Sequence, residues 1–183
     1  DTVDFDPGAG TTNLTSNGNH DVFVSKLDSS GDLVWAKSFG STSVNVGYSV
    51  AVDSSGNVYT TGRFGGTIDF DPGAGTTNLT SNGGYDVFVW KLDSSGDLEW
   101  AKNWGSSGSG DHGQSVAVDS SGNVYTTGYF GGTVDFDPGA GTTNLTVNGN
   151  LDAFVSKLNS SGELEWAKNW GTSSVPGYGN TLG

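Results

Sequence analysis

The feature that most constrains this chain is a phrase of twelve residues, DFDPGAGTTNLT, which occurs three times at a spacing of 65 to 66 residues. The copies begin at Asp4, Asp69 and Asp135. Two stretches of 39 residues differ at only eight positions, namely 67–105 and 133–171. Near-identical units present the same groups at regular intervals, whereas a catalytic centre needs different groups at one point. The repetition therefore predicts one repeat domain over residues 1–183, with units of approximately 1–66, 67–132 and 133–183.

Each unit contains four short runs rich in β-branched and aromatic residues, which predict four β-strands. The bounds above follow the repeated phrase; counted instead as sets of four strands, as from here on, the second unit has its runs at residues 47–53, 57–64, 86–93 and 97–104. The first two runs, like the last two, are joined by the turn sequence D-S-S-G-[ND]. The Asp of such a turn accepts backbone hydrogen bonds, and the Gly adopts a positive φ, as in a type I turn closed by a G1 bulge. The pattern therefore predicts two tight antiparallel hairpins in each unit.

Four antiparallel strands in every unit predict an all-β fold, a β-propeller-type array of four-stranded antiparallel blades. The segments G-[YQ]-S-V-A-V-D-S-S-G-N-V-Y-T-T-G and D-[VA]-F-V-[SW]-K-L-[DN]-S-S-G-[DE]-L-[VE]-W-A-K closely resemble the bacterial SBBP repeat, which is named for a predicted propeller. The resemblance covers nearly the whole chain. It implies a secreted or cell-surface protein, usually one without a defined activity.

The number of repeats is smaller than the roughly 4 to 8 blades that close a propeller. The chain opens inside the insert of one unit, and residues 179–183 repeat the start of a first strand, so about two and a half blades are expected. We expect a segment cut from a longer precursor, with open sheet edges that find partners. Three arrangements fit this expectation: a longer array, a ring completed by other chains, or a head-to-tail filament.

The open ends favour an extracellular structural or adhesive protein that self-associates as a homo-oligomer or filament. The alternative is a glycan-binding or protein-binding propeller module within a larger secreted protein. No enzyme is predicted, because the repeated Ser residues lie in turns and no His recurs with them. The two histidines, His20 and His112, have no equivalents in the other units and are expected at the surface.

The net charge of −13 argues against two classes of partner. A chain this acidic repels nucleic acid and anionic lipid surfaces. No apolar run approaches the ~20 residues of a membrane span, so membrane insertion is not expected either. Six lysines recur in the third and fourth strands and are expected to pair with nearby Asp residues. They are Lys26, Lys37, Lys91, Lys102, Lys157 and Lys168.

Two carboxylates in alternate positions of D-F-D-P-G-A-G form the candidate metal site of each unit. The pairs are Asp4 with Asp6, Asp69 with Asp71, and Asp135 with Asp137. Paired carboxylates beside exposed carbonyls suit a hard cation such as Ca²⁺. The third ligand and the later Glu of an EF-hand loop are missing, however. The other interpretation is a turn in which each Asp caps its own loop.

Each unit also carries one glycosylation sequon, N-L-T, at Asn13, Asn78 and Asn144. The units differ at two sites that are candidates for a partner or ligand surface. One site, just before the third strand, is occupied by His20, Tyr85 and Leu151, and the other, within that strand, by Ser25, Trp90 and Ser156. Unselected drift on an exposed surface is the alternative explanation for this variation.

Aromatic residues recur at fixed positions of the repeat, and we expect them to pack between neighbouring blades. They are Phe5, Phe70 and Phe136, Trp35, Trp100 and Trp166, Phe39, Trp104 and Trp170, and Tyr59 and Tyr125.

Overall fold

The computed structural model describes residues 1–108 and 110–173, and within them it contains sixteen β-strands and no helix. The strands are β1 (Thr2–Asp4), β2 (Asn13–Thr15), β3 (Val22–Leu27), β4 (Leu33–Phe39), β5 (Val46–Val52), β6 (Val58–Phe64), β7 (Thr67–Asp69), β8 (Asn78–Thr80), β9 (Asp86–Leu92), β10 (Leu98–Trp104), β11 (His112–Val118), β12 (Val124–Phe130), β13 (Thr133–Asp135), β14 (Asn144–Thr146), β15 (Asp152–Leu158) and β16 (Leu164–Trp170). The described part of the chain accordingly offers no helix that could cross a membrane.

Two sheets contain four antiparallel strands each, and the strands lie side by side in chain order. The second unit forms the sheet β5-β6-β9-β10, and the third unit forms β11-β12-β15-β16. The strands of the second unit begin and end within one residue of the predicted runs. The prediction of an all-β antiparallel fold is therefore confirmed. In the first unit β3 and β4 form a two-stranded sheet, and the predicted first strand at 179–183 lies outside the described residues.

The turns of the long hairpins have the predicted chemistry. In the second unit the Oδ1 atom of Asp53 accepts hydrogen bonds from the backbone N–H groups of Ser55 (2.9 Å) and Asn57 (3.0 Å). Gly56 has φ = 81°, a left-handed conformation that suits glycine. The same carboxylate or amide cap and positive-φ glycine recur at the other four turns of this type. These turns fix the register of each hairpin.

The insert of each unit is a short hairpin of two three-residue strands, which the sequence analysis did not identify. In the second unit Thr67 pairs with Thr80, and their hydroxyl groups lie 2.8 Å apart. Ile68, which pairs with Leu79 at the next position of the ladder, is buried in the core. The insert is thus a packed part of the unit.

The hydrophobic core lies between successive units as two clusters. In the first, Phe39 of the first unit packs against Phe70, Phe88 and Trp90 of the second. In the second, Trp104 packs against Phe136 and Phe154 of the third unit. Most of the recurrent aromatic residues therefore pack between units, as predicted. The exceptions lie in the first and third units: Phe5 meets Phe23 and Tyr125 meets Trp166 within one unit, and Trp166 and Trp170 are exposed.

Candidate functional site

The outer side of the first unit exposes side chains whose counterparts in the other units are buried. Phe23 is 56% exposed, whereas its counterparts Phe88 and Phe154 are fully buried. Val3 and Leu27 are exposed in the same way. Together with Ser25 and Ser29, which are also exposed, these residues form a surface that we call the head face: Val3, Phe23, Ser25, Leu27 and Ser29.

The outer side of the third unit is the complementary surface. Trp170 is 58% exposed, whereas its counterparts Trp104 and Phe39 are 2% and 3% exposed. Trp166 is 38% exposed, although its counterpart Trp35 is buried. With two half-buried neighbours, these residues form what we call the tail face: Tyr125, Lys157, Trp166 and Trp170. The head and tail faces are thus the two halves of a contact that the chain already makes twice internally.

A polar clamp accompanies each internal contact. The indole Nε1–H of Trp35 and the Nζ of Lys26 both donate to the carbonyl oxygen of Ser94 in the next unit, at 3.1 and 2.9 Å. Trp100 and Lys91 donate to the carbonyl of Ser160 in the same manner, at 3.1 and 3.4 Å. The corresponding donors of the third unit, Trp166 and Lys157, belong to the tail face. The corresponding acceptor of the first unit, the carbonyl of Ser29, belongs to the head face.

Two of the recurring lysines pair with Glu and not with Asp. Lys91 forms an ion pair with Glu99, and Lys157 forms one with Glu165, each at 2.6 Å. The expectation of Asp partners was wrong for these two lysines, because the facing position on the fourth strand carries Glu. Burial lowers the pKa of Lys91, but the hydrogen bonds that Lys91 donates to Glu99 and Lys157 donates to Glu165 leave the pKa of both lysines raised. The two lysines therefore stay charged.

The third strand of the first unit has one unpaired edge within the described residues. In the second unit β9 pairs with β6 on one side and with β10 on the other, whereas β3 pairs with β4. Surface hollows line the free edge of β3, beside Phe23, Val24, Tyr48 and Val50. Val50 is exposed, while its counterpart Val116 is buried against the second unit. An open edge bordered by apolar side chains is a ready site for another strand.

The six candidate metal ligands lie at the tips of the inserts, where backbone groups already engage them. In the second unit the Oδ1 of Asp69 accepts from the N–H groups of Asp71 (3.0 Å) and Thr77 (2.8 Å), and the Oδ1 of Asp71 accepts from that of Gly73 (2.7 Å). The pairs Asp4 with Asp6 and Asp135 with Asp137 repeat this pattern. Backbone hydrogen bonds lower the pKa of Asp4. No cluster of three or more His, Asp or Glu side chains occurs among the described residues, and Ca²⁺ binding stays a prediction.

The three sequons occupy equivalent exposed places. Asn13, Asn78 and Asn144 each begin the second strand of an insert and are exposed to solvent. Glycosylation at these residues stays a prediction.

The four candidate surface residues differ in their exposure to solvent. His20 is exposed, and Tyr85 and Leu151 are half-buried. Trp90 is fully buried: its Nε1–H donates to the carbonyl of Phe70 at 2.9 Å, and its ring meets that of Phe39 edge-on at 4.8 Å. The prediction that Trp90 belongs to a ligand surface was therefore wrong. Its large side chain fills the contact between the first two units.

His112 is buried, which corrects the expectation of a surface histidine. Its Nε2 lies 2.9 Å from Nη1 of Arg63, and its Nδ1 lies 2.6 Å from the hydroxyl of Tyr129. The guanidinium of Arg63 also stacks over the ring of Tyr85 at 4.5 Å. Burial, with a smaller contribution from the positive charge of Arg63, lowers the pKa of His112 to about 4. The neutral imidazole thus joins the second unit to the third at neutral pH.

The Asp that begins the third strand is a buried carboxylate that the sequence analysis did not single out. Asp86 accepts hydrogen bonds from the side chain of Asn103 (2.9 Å) and the backbone of Asn82 (3.1 Å). Burial nevertheless raises the pKa of Asp86 to about 6. Its recurrence at the same position, as Asp21 and Asp152, was the available signal. These hydrogen bonds hold the end of the fourth strand to the start of the third.

A cleft of about 500 Å³ opens between the first and second units. Its lining includes His20, Asp21, Phe23 and Arg63. Two buried polar atoms of that lining, Oδ1 of Asp21 and Nε of Arg63, have no hydrogen-bond partner among the described residues. Both atoms are closed off from solvent, so the polar character of the cleft comes from the acidic and basic side chains, Asp21 and Arg63, in its lining.

Comparison with known proteins identifies the repeat. The profile of the SBBP beta-propeller repeat matches residues 34–63 and 99–129. An uncharacterized WD repeat-containing protein of Acanthamoeba polyphaga mimivirus is 29% identical over 201 residues, which cover 99% of this chain and 14% of that protein. The regulatory protein FlaEY of Caulobacter vibrioides is 30% identical over 159 residues, which cover 85% of this chain and 16% of FlaEY. The chain thus spans less than a fifth of either relative.

Proposed function

We propose, from the premise that this chain is an SBBP-type beta-propeller repeat protein, that it is a structural module whose blades stack on further copies of itself. The tail face of one copy covers the head face of the next and forms a homo-oligomer or filament. No catalytic step is part of this proposal. The setting we propose is extracellular or at a cell surface, where a repeated contact produces a multivalent adhesive array.

One observation carries the proposal: the same side-chain positions are buried between units and exposed at both ends of the stack. Phe23 and Leu27 are exposed, whereas the counterparts of both in the second and third units are fully buried. An exposed apolar patch of this kind is typical of an interaction surface. Since the internal contacts join a tail-type surface to a head-type surface, the proposed occupant of each face is a second copy.

The polar groups of the two faces also match. The tail donors Trp166 and Lys157 have their counterparts bound to a turn carbonyl in both internal contacts. The head face presents that carbonyl at Ser29. Stacking therefore places a hydrogen-bond acceptor opposite these donors, and it covers apolar rings at the same time.

Sedimentation velocity on the purified chain tests the proposal. The chain should sediment as concentration-dependent oligomers. The variant Phe23→Glu should sediment as a folded monomer, because a charge would have to be buried against the tail face. Val34 provides the matched control: it is also exposed, and its counterparts Glu99 and Glu165 already carry the charge. A Val34→Glu chain should therefore associate like the wild type. A wild-type chain that stays monomeric at every concentration contradicts the proposal.

A second candidate function, glycan binding, is favoured by the cleft between the first two units. A sugar hydroxyl can donate to a carboxylate and accept from a guanidinium, and Asp21 and Arg63 both line this cleft. Titration calorimetry with the hits of a glycan array would support this function if Asp21→Asn removes binding. Binding that survives Asp21→Asn would rule out this cleft as the site.

A further inference from the structure

The two internal contacts between units join equivalent surfaces but carry side chains of different size at two equivalent positions. In the first contact Phe39 faces Trp90, with ring centroids 4.8 Å apart. In the second contact the counterpart of Phe39 is Trp104, and the counterpart of Trp90 is Ser156. A smaller ring on the tail side thus accompanies a larger one on the head side, and a larger tail ring accompanies a serine.

The distances between ring centroids agree with compensation between the two positions, in which a larger side chain at one is matched by a smaller side chain at the other. Phe39 lies 4.2 Å from the ring of Phe70, while the larger Trp104 lies 6.0 Å from the equivalent Phe136. Trp90 and Trp104 are both buried, and so is Ser156. Since protein interiors are packed to nearly constant density, the two large rings cannot both occupy one contact without displacing other groups.

The two free faces carry, between them, both members of the second kind of pair. The tail face ends in Trp170, the counterpart of Trp104, and the head face carries Ser25, the counterpart of Ser156. We infer that Trp170 of one copy packs over Ser25 of the next, in the manner of Trp104 and Ser156. This inference rests on the proposed self-association and adds its selectivity: the size of these two residues determines which tail fits which head. A head that carries Trp rejects this tail and accepts a tail that ends in Phe.

Compensating substitutions test the inference. Ser25→Trp should weaken self-association by about tenfold or more, because two Trp side chains then meet in one contact. The double variant Ser25→Trp with Trp170→Phe should recover most of the wild-type association, because it recreates the pair Trp90 and Phe39. Ser25 is exposed, so the monomer should fold normally, and far-UV circular dichroism of each variant checks this. Ser25→Ala is the size-matched control and should associate like the wild type.

The measurement is the association constant from sedimentation equilibrium. Equal association of the wild type and Ser25→Trp, or a double variant as weak as Ser25→Trp, would overturn the size rule while leaving self-association in place. A wild type that does not associate at all would instead remove the proposed function on which the rule depends.

Discussion

The packing between units can be tested by giving the first internal contact the residues that occupy the second. This requires two substitutions, Trp90→Ser and Phe39→Trp. Trp90 is fully buried and donates a hydrogen bond to Phe70. Replacing it with Ser should therefore cost about 4 kcal/mol of unfolding free energy, as expected for loss of a large core side chain. Phe39→Trp adds volume to a filled contact and should cost about 1 to 3 kcal/mol.

The double variant should be more stable than the sum of these costs predicts. Phe39→Trp with Trp90→Ser converts the first contact into the pair found in the second, Trp104 with Ser156. We expect a coupling free energy of about 2 to 3 kcal/mol in favour of the double variant, which is within the range for side chains in contact.

Urea unfolding followed by far-UV circular dichroism measures this cycle. All variants should carry Phe23→Glu, so that association does not contribute to the measured stability. The control cycle replaces Trp90→Ser with Trp166→Ser, which lies in the third unit on the tail face and should combine additively with Phe39→Trp. If the cost of the double variant equals the sum of the costs of Trp90→Ser and Phe39→Trp within about 0.5 kcal/mol, the two side chains do not compensate each other in size and the reasoning is refuted.

Three further predictions concern other parts of the molecule. Trp100→Phe should lower the unfolding free energy by about 1 kcal/mol, because the carbonyl of Ser160 loses a donor, whereas Trp166→Phe should leave the stability of the monomer unchanged. Equal losses in chemical unfolding would contradict the clamp. The pKa of His112 lies near 4 when folded and near 6.5 when unfolded, so the unfolded chain binds more protons in that window and stability falls as the pH is lowered through it. The raised pKa of Asp86 acts in the opposite direction between about pH 6 and 4, because the folded chain then binds more protons. The difference in unfolding free energy between the wild type and His112→Gln should accordingly shrink by about 3 kcal/mol from pH 7 to 4. Urea titrations at both pH values measure it, and a difference that does not change would show that the imidazole is charged or solvated in the folded chain. The predicted Ca²⁺ site implies that millimolar Ca²⁺ raises the melting temperature and that Asp71→Asn removes the rise. An unchanged melting temperature would leave the turn interpretation, in which backbone N–H groups occupy Oδ1 of Asp69 and Asp71.

The strands and long turns could be predicted because their causes are local. An Asp that binds the backbone of its own turn and a Gly at positive φ lie within five residues, as at Asp53 and Gly56. The insert hairpins were missed because three-residue strands such as Thr67–Asp69 are too short to produce a periodic pattern.

The environment of single side chains could not be predicted in the same way. Trp90 and His112 are buried by the neighbouring unit, and a comparison of aligned copies does not reveal which face a neighbour covers. Variation between copies at position 90 suggests an exposed surface. There it reflects the volume that the facing unit leaves free, because the opposite residue varies as well, from Phe39 to Trp104.

Directed cross-linking measures the head-to-tail contact most directly, because the chain has no cysteine of its own. A Ser29→Cys chain, labelled on the head face, is mixed with a Lys157→Cys chain, labelled on the tail face, and treated with a short bismaleimide. We expect the mixture to form cross-linked dimers and each chain alone to form few. Cross-linking within the Ser29→Cys chain alone, or none in the mixture, would contradict stacking of the tail face on the head face.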